Sequence, residues 1–194
     1  KAGRDLYSTP GFWFNTPNGV MRNKNLPLMT AQDMDELPPL TYGDGELIHK
    51  PGKGFVPVRP RDFVTWSGLS YNTVWSVGCP MKCTYCGNTK FIEYDAGYRR
   101  VRHPSAEYMI AEIKRAVKKN PYISVICFHD DSFMAIPYLV LEDFALRFKE
   151  EIGMPFVVFG VIPNYVREDK VEVLLEGGMN RLRMGIQSGS QNIL

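Results

Sequence analysis

Three cysteines stand close together near the middle of the chain, at Cys79, Cys83 and Cys86. Their Cys-x3-Cys-x2-Cys spacing lets one short loop wrap three thiolates around a single metal centre, and thiolates are soft ligands that suit zinc or iron–sulfur clusters. Closed structural sites usually take four protein ligands, whereas a reactive site keeps one position open. Three cysteines without an adjacent fourth ligand therefore predict a metal centre that binds something exchangeable.

Spacing alone leaves other interpretations of these cysteines open. A closed zinc site could take its fourth ligand from His103 or Cys127, which would make the chain a non-enzymatic, zinc-stabilised binding module. The three thiols could also be redox-active or simply buried. Cys127 itself lies inside an apolar run, where a cysteine is most often a small buried hydrophobic residue.

A second polar cluster, His129-Asp130-Asp131-Ser132, follows that apolar run. A carboxylate at this position can accept hydrogen bonds from the cationic ammonium group of a bound amino acid. We expect Asp131 to make this contact, with Asp130 as the close alternative. The competing interpretation is a helix N-cap with solvated acids.

A third cluster, residues 185–190, places Gln187 and Ser188 between two glycines. Neutral donors and acceptors beside Gly185 and Gly189 allow the backbone to approach a ribose or a carboxylate closely. A plain Gly-Ser turn is the competing interpretation of the same residues.

These clusters need a scaffold, and residues 71–194 alternate between strand and helix patterns. Such alternation predicts an α/β fold with a parallel sheet and right-handed crossovers, and four strands make part of a TIM-like barrel rather than a closed one. In such folds the chemistry lies at the C-terminal ends of the strands, where all three clusters fall. The predicted strands are 73–77, 122–128, 156–159 and 182–186; the predicted helices are capped by Ser105, end at Gly153, and run from Glu168 to Gly177–Gly178.

Residues 1–70 have a different character, with many Pro, Gly and Asn residues and few periodic apolar stretches. They predict a hairpin around Asn18-Gly19, an acidic linker over Asp33–Pro39 and a turn at Pro51–Gly54. We expect this irregular segment to be the tail of an N-terminal domain plus a linker, followed by the barrel core at 71–194.

Composition limits the function of this 194-residue chain only broadly. Hydrophobic residues make up 44% and charged residues 23%, as in soluble globular proteins. The net charge of +2 gives no reason to expect nucleic acid as a partner, and no apolar run is long enough to span a membrane. Clustered cysteines favour metal binding in a reducing compartment, so we expect a cytoplasmic protein. A start at Lys1 and a stop at Leu194 suggest a fragment of a longer protein, which we expect to bind a cluster poorly and to turn over little by itself.

The cysteine loop, Cys79-x3-Cys83-x2-Cys86 with Tyr85 before its last cysteine, resembles the signature of the radical S-adenosylmethionine (SAM) enzymes. The resemblance covers roughly residues 71–194 and implies the first four βα units of a (β/α)6 barrel. It also implies that the three cysteines hold a [4Fe–4S] cluster, whose open iron binds the amino and carboxylate groups of SAM. The backbone of Tyr85 would then lie near the adenine.

The same resemblance gives roles to the other two clusters. Asp130, Asp131 and Ser132 occupy the position where family members hold the methionine amino group, although most members carry a Gly-Gly-Glu type sequence there. Gln187 and Ser188 would lie near the ribose and the carboxylate. The implied reaction is one-electron reductive cleavage of SAM to methionine and a 5′-deoxyadenosyl radical, which abstracts hydrogen from a small-molecule substrate. A donor such as flavodoxin or ferredoxin would supply the electron.

Residues 10–38 resemble, more loosely, the junction between a cobalamin-binding domain and the radical barrel in the B12-dependent subfamily. There, an acidic linker ending in Leu-Pro, here Leu37-Pro38, leads into the barrel. The chain contains no Asp-x-His-x-x-Gly cobalamin motif, so cobalamin would be held by a domain outside it. Methyl transfer to an unactivated carbon or phosphorus is the leading reaction implied, with methylthiolation and ring rearrangement as alternatives.

Overall fold

The computed structural model of the chain describes residues 6–40, 45–190 and 192. Its N-terminal part consists of short elements that form two separate antiparallel hairpins. The predicted domain limits, 1–70 and 71–194, include residues 1–5, 41–44, 191, 193 and 194, which lie outside the described residues. The N-terminal elements are β1 (Trp13–Thr16), β2 (Gly19–Arg22), α1 (Ala31–Asp35), β3 (Leu47–Lys50), β4 (Gly54–Pro57) and α2 (Pro60–Ser67).

The hairpin expected around Asn18-Gly19 is present, with Thr16 paired to Gly19 across the turn. The acidic linker is only partly confirmed, because its first residues belong to α1. There the Thr30 hydroxyl accepts a hydrogen bond from the Asp33 amide, and the Asp33 carboxylate accepts one from the Thr30 amide. This capping box satisfies two free amides at the helix start, which favours a helix over a linker.

The C-terminal part is built around a four-stranded parallel sheet, whose strands lie side by side in the order they have in the chain. Helices connect consecutive strands, as the alternating pattern predicts. Within the described residues the sheet does not close into a barrel. The strands are β5 (Ser70–Thr73), β6 (Val125–Phe128), β7 (Phe156–Val161) and β8 (Met179–Met184), and the helices are α3 (Asn88–Tyr94), α4 (Ala106–Lys119), α5 (Tyr138–Glu151) and α6 (Glu168–Glu176).

The helix ends follow local capping chemistry. The Ser105 hydroxyl accepts a hydrogen bond from the Tyr108 amide at the start of α4, at 3.1 Å. Gly153 follows α5 with a φ of +64°, a conformation that costs glycine little. Among the described residues, no helix combines the length and the apolar character that crossing a membrane would require.

Alternate residues of the sheet face the helices and form the core. Ile126 and Phe128 of β6 are fully buried, whereas Val125 and Cys127, which alternate with them, are only half-buried. Phe144 of α5 lies edge-on to Phe128, at 5.5 Å between ring centroids. Burying a side chain of this size stabilises the fold by about 1.5–3 kcal/mol, so these contacts hold the sheet against α4 and α5.

Three strand predictions need correction. The first barrel strand ends at Thr73 instead of continuing to Val77, because the amides of the next residues bond to a side chain rather than to a neighbouring strand. The second begins at Val125 rather than Tyr122, since the Ile123 amide donates to the Asn120 carbonyl in a turn. The fourth strand is predicted over 182–186, whereas β8 begins earlier, at Met179, and ends before Ile186.

Candidate functional site

A cavity of about 370 Å³ opens where β6, β7 and β8 end, and we call it the strand-end cavity. The cysteine loop, residues 79–86, forms one of its walls. All three sequence clusters contribute to its lining, which agrees with the expectation that they meet at one edge of the sheet. The lining residues are Cys79, Met81, Cys83, Tyr85, Cys86, Asn88, Asp130, Asp131, Gly160, Val161, Ile162, Pro163, Asn164, Gly185, Ile186 and Gln187.

The chain that leads into the cysteine loop is fixed by Asp130. This carboxylate accepts hydrogen bonds from the Trp75 amide at 3.1 Å, the Ser76 amide at 2.6 Å and the Ser76 hydroxyl at 2.6 Å. Only 3% of Asp130 is exposed, and burial raises the pKa of its carboxyl to about 6 although the three donors oppose the rise. Asp130 therefore connects the end of β6 to the segment before Cys79.

Ser132 also forms a hydrogen bond with the segment before the cysteine loop. It is buried, and its hydroxyl donates to the carbonyl of Gly78 at 2.8 Å. Gly78 has a φ of +104°, and a Cβ there would overlap the carbonyl oxygen of Arg100. The next amide, Cys79 N–H, donates to the Tyr98 carbonyl at 3.1 Å. Only a glycine allows this close approach of two backbones, which sets the position of Cys79.

The loop itself turns tightly around the carbonyl of Cys83. That oxygen accepts hydrogen bonds from the Cys86 amide at 3.1 Å and from the Thr89 hydroxyl at 2.6 Å. The second bond ties the loop to the first turn of α3. The last two cysteines are therefore brought onto the same cavity by a local turn, and the first by the contacts of Gly78.

The three cysteines are free thiols that differ in exposure. Cys79 is buried, and Cys83 and Cys86 are half-buried. Burial raises the pKa of the Cys79 thiol, and the nearby Asp131, Cys83 and Cys86 raise it further, while the Met81 amide lowers it. A positively charged metal centre reverses this cost, because thiols lose their protons when they bind metal.

Three thiols of one loop are the type of donor that binds an iron–sulfur cluster. Within the described residues, no three His, Cys, Asp or Glu side chains converge as ligands of one metal ion do. A [4Fe–4S] cluster asks for less convergence, since each cysteine binds a different iron. The two proposed fourth ligands for zinc also lie elsewhere: His103 packs edge-on against Trp75, and Cys127 lines a different groove of the sheet.

Asp131 differs from its neighbour in every respect that matters for binding. It is exposed, it lines the strand-end cavity, and its charge is close enough to Cys79 to raise the pKa of that thiol. Asp130 and Ser132 are buried in contacts with the protein itself. The sequence predicts a cofactor contact for this cluster, and the structure leaves Asp131 as the member whose side chain is available for it.

Of the third cluster, Gln187 lines the cavity and Ser188 does not. Gln187 has a φ of +65°, and it is the only non-glycine residue among those described that has a left-handed backbone conformation. Such a conformation is uncommon away from functional sites. A Cβ on Gly185 would overlap the Gln187 side-chain nitrogen, so the glycine makes room for that amide. Ser188 instead donates its amide to the Ile186 carbonyl at 2.8 Å.

Tyr85 lines the cavity, and 70% of its surface is exposed. Its side chain is therefore not part of the core.

Gly160 is a cavity residue that was not predicted. Val158 pairs with Leu182 and Val161 with Met184, so β7 has one more residue than β8 between these pairs. Gly160 lies in this bulge with a φ of +62°. A Cβ there would overlap the carbonyl oxygen of Asp130. The signal in the sequence is a glycine inside an apolar run, which often marks a bulge or a close backbone approach.

Comparisons with known proteins agree with this geometry. The model of the Radical SAM superfamily matches residues 73–194, whereas no curated protein matches the chain. Among solved structures, the cobalamin-dependent SAM radical enzyme OxsB, with aqua-cobalamin and SAM bound, is similar with a TM-score of 0.69 and 18% identity over 98% of this chain. The radical SAM methyltransferase TsrM from Kitasatospora setae, with tryptophan and a SAM analog bound, gives 0.69 and 18% over 99%.

The chain spans only 26% of OxsB and 34% of TsrM. At such low identity these likenesses show a shared fold, which extends over the N-terminal segment as well as the sheet. The family match is the stronger finding, because it begins at the end of β5, contains the whole cysteine loop and covers more than half of the chain. By that match, this chain belongs to the Radical SAM superfamily.

Proposed function

We propose that this chain holds a [4Fe–4S] cluster on Cys79, Cys83 and Cys86 and binds SAM in the strand-end cavity. The observation that carries the proposal is that three free thiols, Asp131 and Gln187 all line one cavity. When bound, the cluster supplies the electron that cleaves SAM to methionine and a 5′-deoxyadenosyl radical. The protein contributes binding, orientation and exclusion of water.

The lining residues match the parts of SAM. The exposed carboxylate of Asp131 accepts hydrogen bonds from the methionine ammonium group. The side-chain amide of Gln187 can donate to a carboxylate or accept from a ribose hydroxyl. Gly160 and Gly185 line the cavity with backbone alone, and we assign the backbone of Tyr85, which also lines it, to the adenine.

The apolar part of the lining, Val161, Ile162 and Ile186, has a separate role. These side chains keep water from the reacting atoms, which protects a reactive radical from side reactions.

We further propose that the whole protein uses cobalamin, held outside this chain, to transfer a methyl group to a small molecule. This is supported by the likeness to OxsB and TsrM, which extends over 98–99% of the chain and includes its N-terminal segment. The chain itself carries no cobalamin motif. A cytoplasmic location and reduction by flavodoxin or ferredoxin belong to the same proposal, because a reduced iron–sulfur cluster needs a reducing compartment.

Anaerobic iron and sulfide analysis after reconstitution tests the cluster. We expect about four irons and about four sulfides per chain, as a [4Fe–4S] cluster requires. Cys83→Ala should lose both, because two thiolates hold the cluster poorly. Cys127→Ala is the matched control and should keep both, since Cys127 lies in another groove. One zinc per chain without sulfide would overturn the proposal in favour of a zinc-binding module.

SAM cleavage tests the second half of the proposal. With dithionite as the reductant, the reconstituted whole protein should form 5′-deoxyadenosine and methionine in equal amounts, and its Cys83→Ala variant should form neither. Chromatography of the quenched reaction measures both products. A cluster-loaded protein that binds SAM without any cleavage under strong reduction would contradict the assigned chemistry while leaving the metal site intact.

A further inference from the structure

A second groove, which we call the sheet groove, lies on the face of the sheet that α4 to α6 do not cover. Its volume is about 470 Å³, larger than that of the strand-end cavity. Side chains that alternate with the core residues point into it from all four strands. The lining residues are Ser70, Asn72, Ser124, Val125, Cys127, His129, Pro155, Val157, Phe159, Asn180, Arg181 and Arg183.

The sheet groove is positively charged, because two arginines line it and no acidic residue does. Arg181 and Arg183 both lie on β8, two residues apart, so their side chains share one face of the strand. The lining contains no Asp or Glu, and neither arginine has an ion-pair partner among the residues that the structure describes. Two guanidinium groups without a neighbouring carboxylate favour an anionic ligand.

The polar groups of the groove are held in place by their neighbours. The ring of His129 stacks on Phe159, with 4.4 Å between centroids and 11° between planes, and its Nε2 lies 2.9 Å from Asn72 Oδ1. The guanidinium carbon of Arg183 lies 4.9 Å from the centroid of the same Phe159 ring. A ligand therefore meets side chains that are already oriented, which reduces the entropy lost on binding.

The positive charges of the two arginines also act on Cys127, which lines the groove. Burial raises the pKa of the Cys127 thiol, whereas a hydrogen bond with Ser70 and the charges of Arg181 and Arg183 lower it. Both guanidinium groups therefore influence Cys127 of β6, although they lie on β8 and β7 stands between these two strands.

The groove and the strand-end cavity share their strands. His129 directly precedes Asp130 and Asp131, and Phe159 directly precedes Gly160. The two linings therefore contain adjacent residues of the chain at the ends of β6 and β7. A molecule in the groove therefore lies next to the cavity in which the proposed radical forms.

We propose that the sheet groove binds an anionic group of the substrate, a phosphate or a carboxylate, through Arg181 and Arg183. Its assignment to the substrate rests on the proposed function, whereas the anion site rests on the groove alone. The substrate class is then a small molecule with a phosphoryl or carboxylate group at one end and its reacting atom at the other.

Alkylation of Cys127 tests this proposal without SAM cleavage. Iodoacetate and iodoacetamide both alkylate a thiolate with loss of iodide, but only iodoacetate is an anion, so the ratio of their rates at Cys127 reports the local charge. Peptide mass spectrometry resolves this residue from the others. We expect Arg183→Gln and Arg181→Gln to lower the ratio at least about threefold. Arg147→Gln, which replaces a partly exposed arginine of α5 that pairs with Asp143, should not change it.

Inorganic phosphate and acetate are the ligand probes. We expect one of them to slow Cys127 alkylation saturably, with half the effect on the order of 1 mM. Stronger protection by phosphate identifies a phosphoryl site, and stronger protection by acetate identifies a carboxylate site. Arg183→Gln should weaken the protection about tenfold, whereas Arg183→Lys, which keeps the charge, should weaken it less. Circular dichroism checks that each variant is folded.

Protection by neither probe, or equal protection in Arg183→Gln and Arg147→Gln, would overturn the anion site. If the proposed function is wrong, the result differs: Cys127 is protected normally in a protein that takes up no iron and sulfide. The two results are independent, since alkylation requires neither the cluster nor SAM.

Discussion

Asp130 and Asp131 are neighbours in the sequence but lie in different surroundings. The first is buried and accepts three hydrogen bonds from the segment before the cysteine loop; the second is exposed on the cavity wall. Neutralising each carboxylate should therefore affect a different property, binding for Asp131 and folding for Asp130.

Asp131→Asn should weaken SAM binding to the reconstituted protein by about tenfold or more, because the ligand ammonium group loses a charged acceptor. Equilibrium dialysis under anaerobic conditions measures the affinity. Asp143→Asn, which removes an exposed carboxylate on α5, is the matched control and should bind SAM normally. Equal affinities in the two variants would show that Asp131 does not contact the cofactor.

Asp130→Asn should lower the free energy of unfolding by about 1–3 kcal/mol near neutral pH, because an amide cannot accept all three hydrogen bonds. The loss should depend on pH. The folded carboxyl keeps its proton up to a pKa of about 6, compared with 3.8 ordinarily, so ionisation costs wild-type stability as the pH rises through this window. The side-chain amide of the variant does not titrate.

The difference between the wild-type protein and Asp130→Asn should consequently be largest near pH 4 and shrink towards about pH 6. Urea unfolding at a series of pH values measures it, and titrations common to both proteins cancel. A difference that grows with pH over this range would mean that the three donors outweigh burial at Asp130.

The residue types of the site could largely be predicted from the sequence, but their division of labour could not. The spacing of the three cysteines is a local property that predicts a metal centre, and the loop that carries them lines the strand-end cavity. The roles of Asp130 and Ser132 depend on Trp75, Ser76 and Gly78, more than fifty residues away in the chain, which no local pattern reports.

At the scale of elements, the bulge of β7 decides how closely two strand ends approach each other. Gly160 lies against the Asp130 carbonyl and lines the cavity beside Asp131. The bulge therefore serves the site as well as the sheet, as bulges beside active sites often do.

Gly160→Ala should be strongly destabilising, by about 3 kcal/mol or more, because its Cβ would overlap backbone that cannot move without displacing β6. Gly153→Ala is a closely matched control. Its φ of +64° equals that of Gly160 within 2°, but the nearest atom to its Cβ would be 3.7 Å away. It should cost only about 1–2 kcal/mol, from backbone conformation alone. Thermal or urea unfolding compares the two; equal losses would show that the close approach is unimportant.

Helices were predicted more accurately than the first strand, for a physical reason. Ser105 and Gly153 act on the nearest turn of their own helix, so their effect is visible in a short stretch of sequence. The apolar run after Thr73 has strand character, yet the amides of Trp75 and Ser76 bond to the Asp130 carboxylate. A tertiary contact has overridden a local preference there.

At the scale of the whole molecule, one buried carboxylate joins the N-terminal segment to the barrel core. Glu112 of α4 accepts hydrogen bonds from the Tyr71 hydroxyl at 3.0 Å, the Thr73 hydroxyl at 3.0 Å and the Leu40 amide at 3.2 Å. A further bond runs from the Ser105 amide to the Asp35 carboxylate, at 2.6 Å. The segment that contains α1 is therefore packed against the core rather than independent of it.

Glu112→Ala should lower the free energy of unfolding by about 2–4 kcal/mol, because two buried hydroxyls and the Leu40 amide lose their acceptor. Hydrogen exchange should also accelerate over residues 30–40, where the Leu40 amide is released. Glu107→Ala, an exposed glutamate on the same helix, should change neither property. Unchanged exchange at Leu40 in Glu112→Ala would show that the N-terminal segment is held by other contacts.

The anchoring of the cysteine loop has a consequence for damage and repair. Its base is held by protein groups alone, the carboxylate of Asp130 and the hydroxyl of Ser132, and Gly78 fixes the direction in which Cys79 leaves. A cluster destroyed by oxygen would leave this base folded, with the thiols near the places they had before. The folded loop therefore persists without a cluster. Binding a new cluster to it loses less conformational entropy than ordering the loop from an unfolded state would.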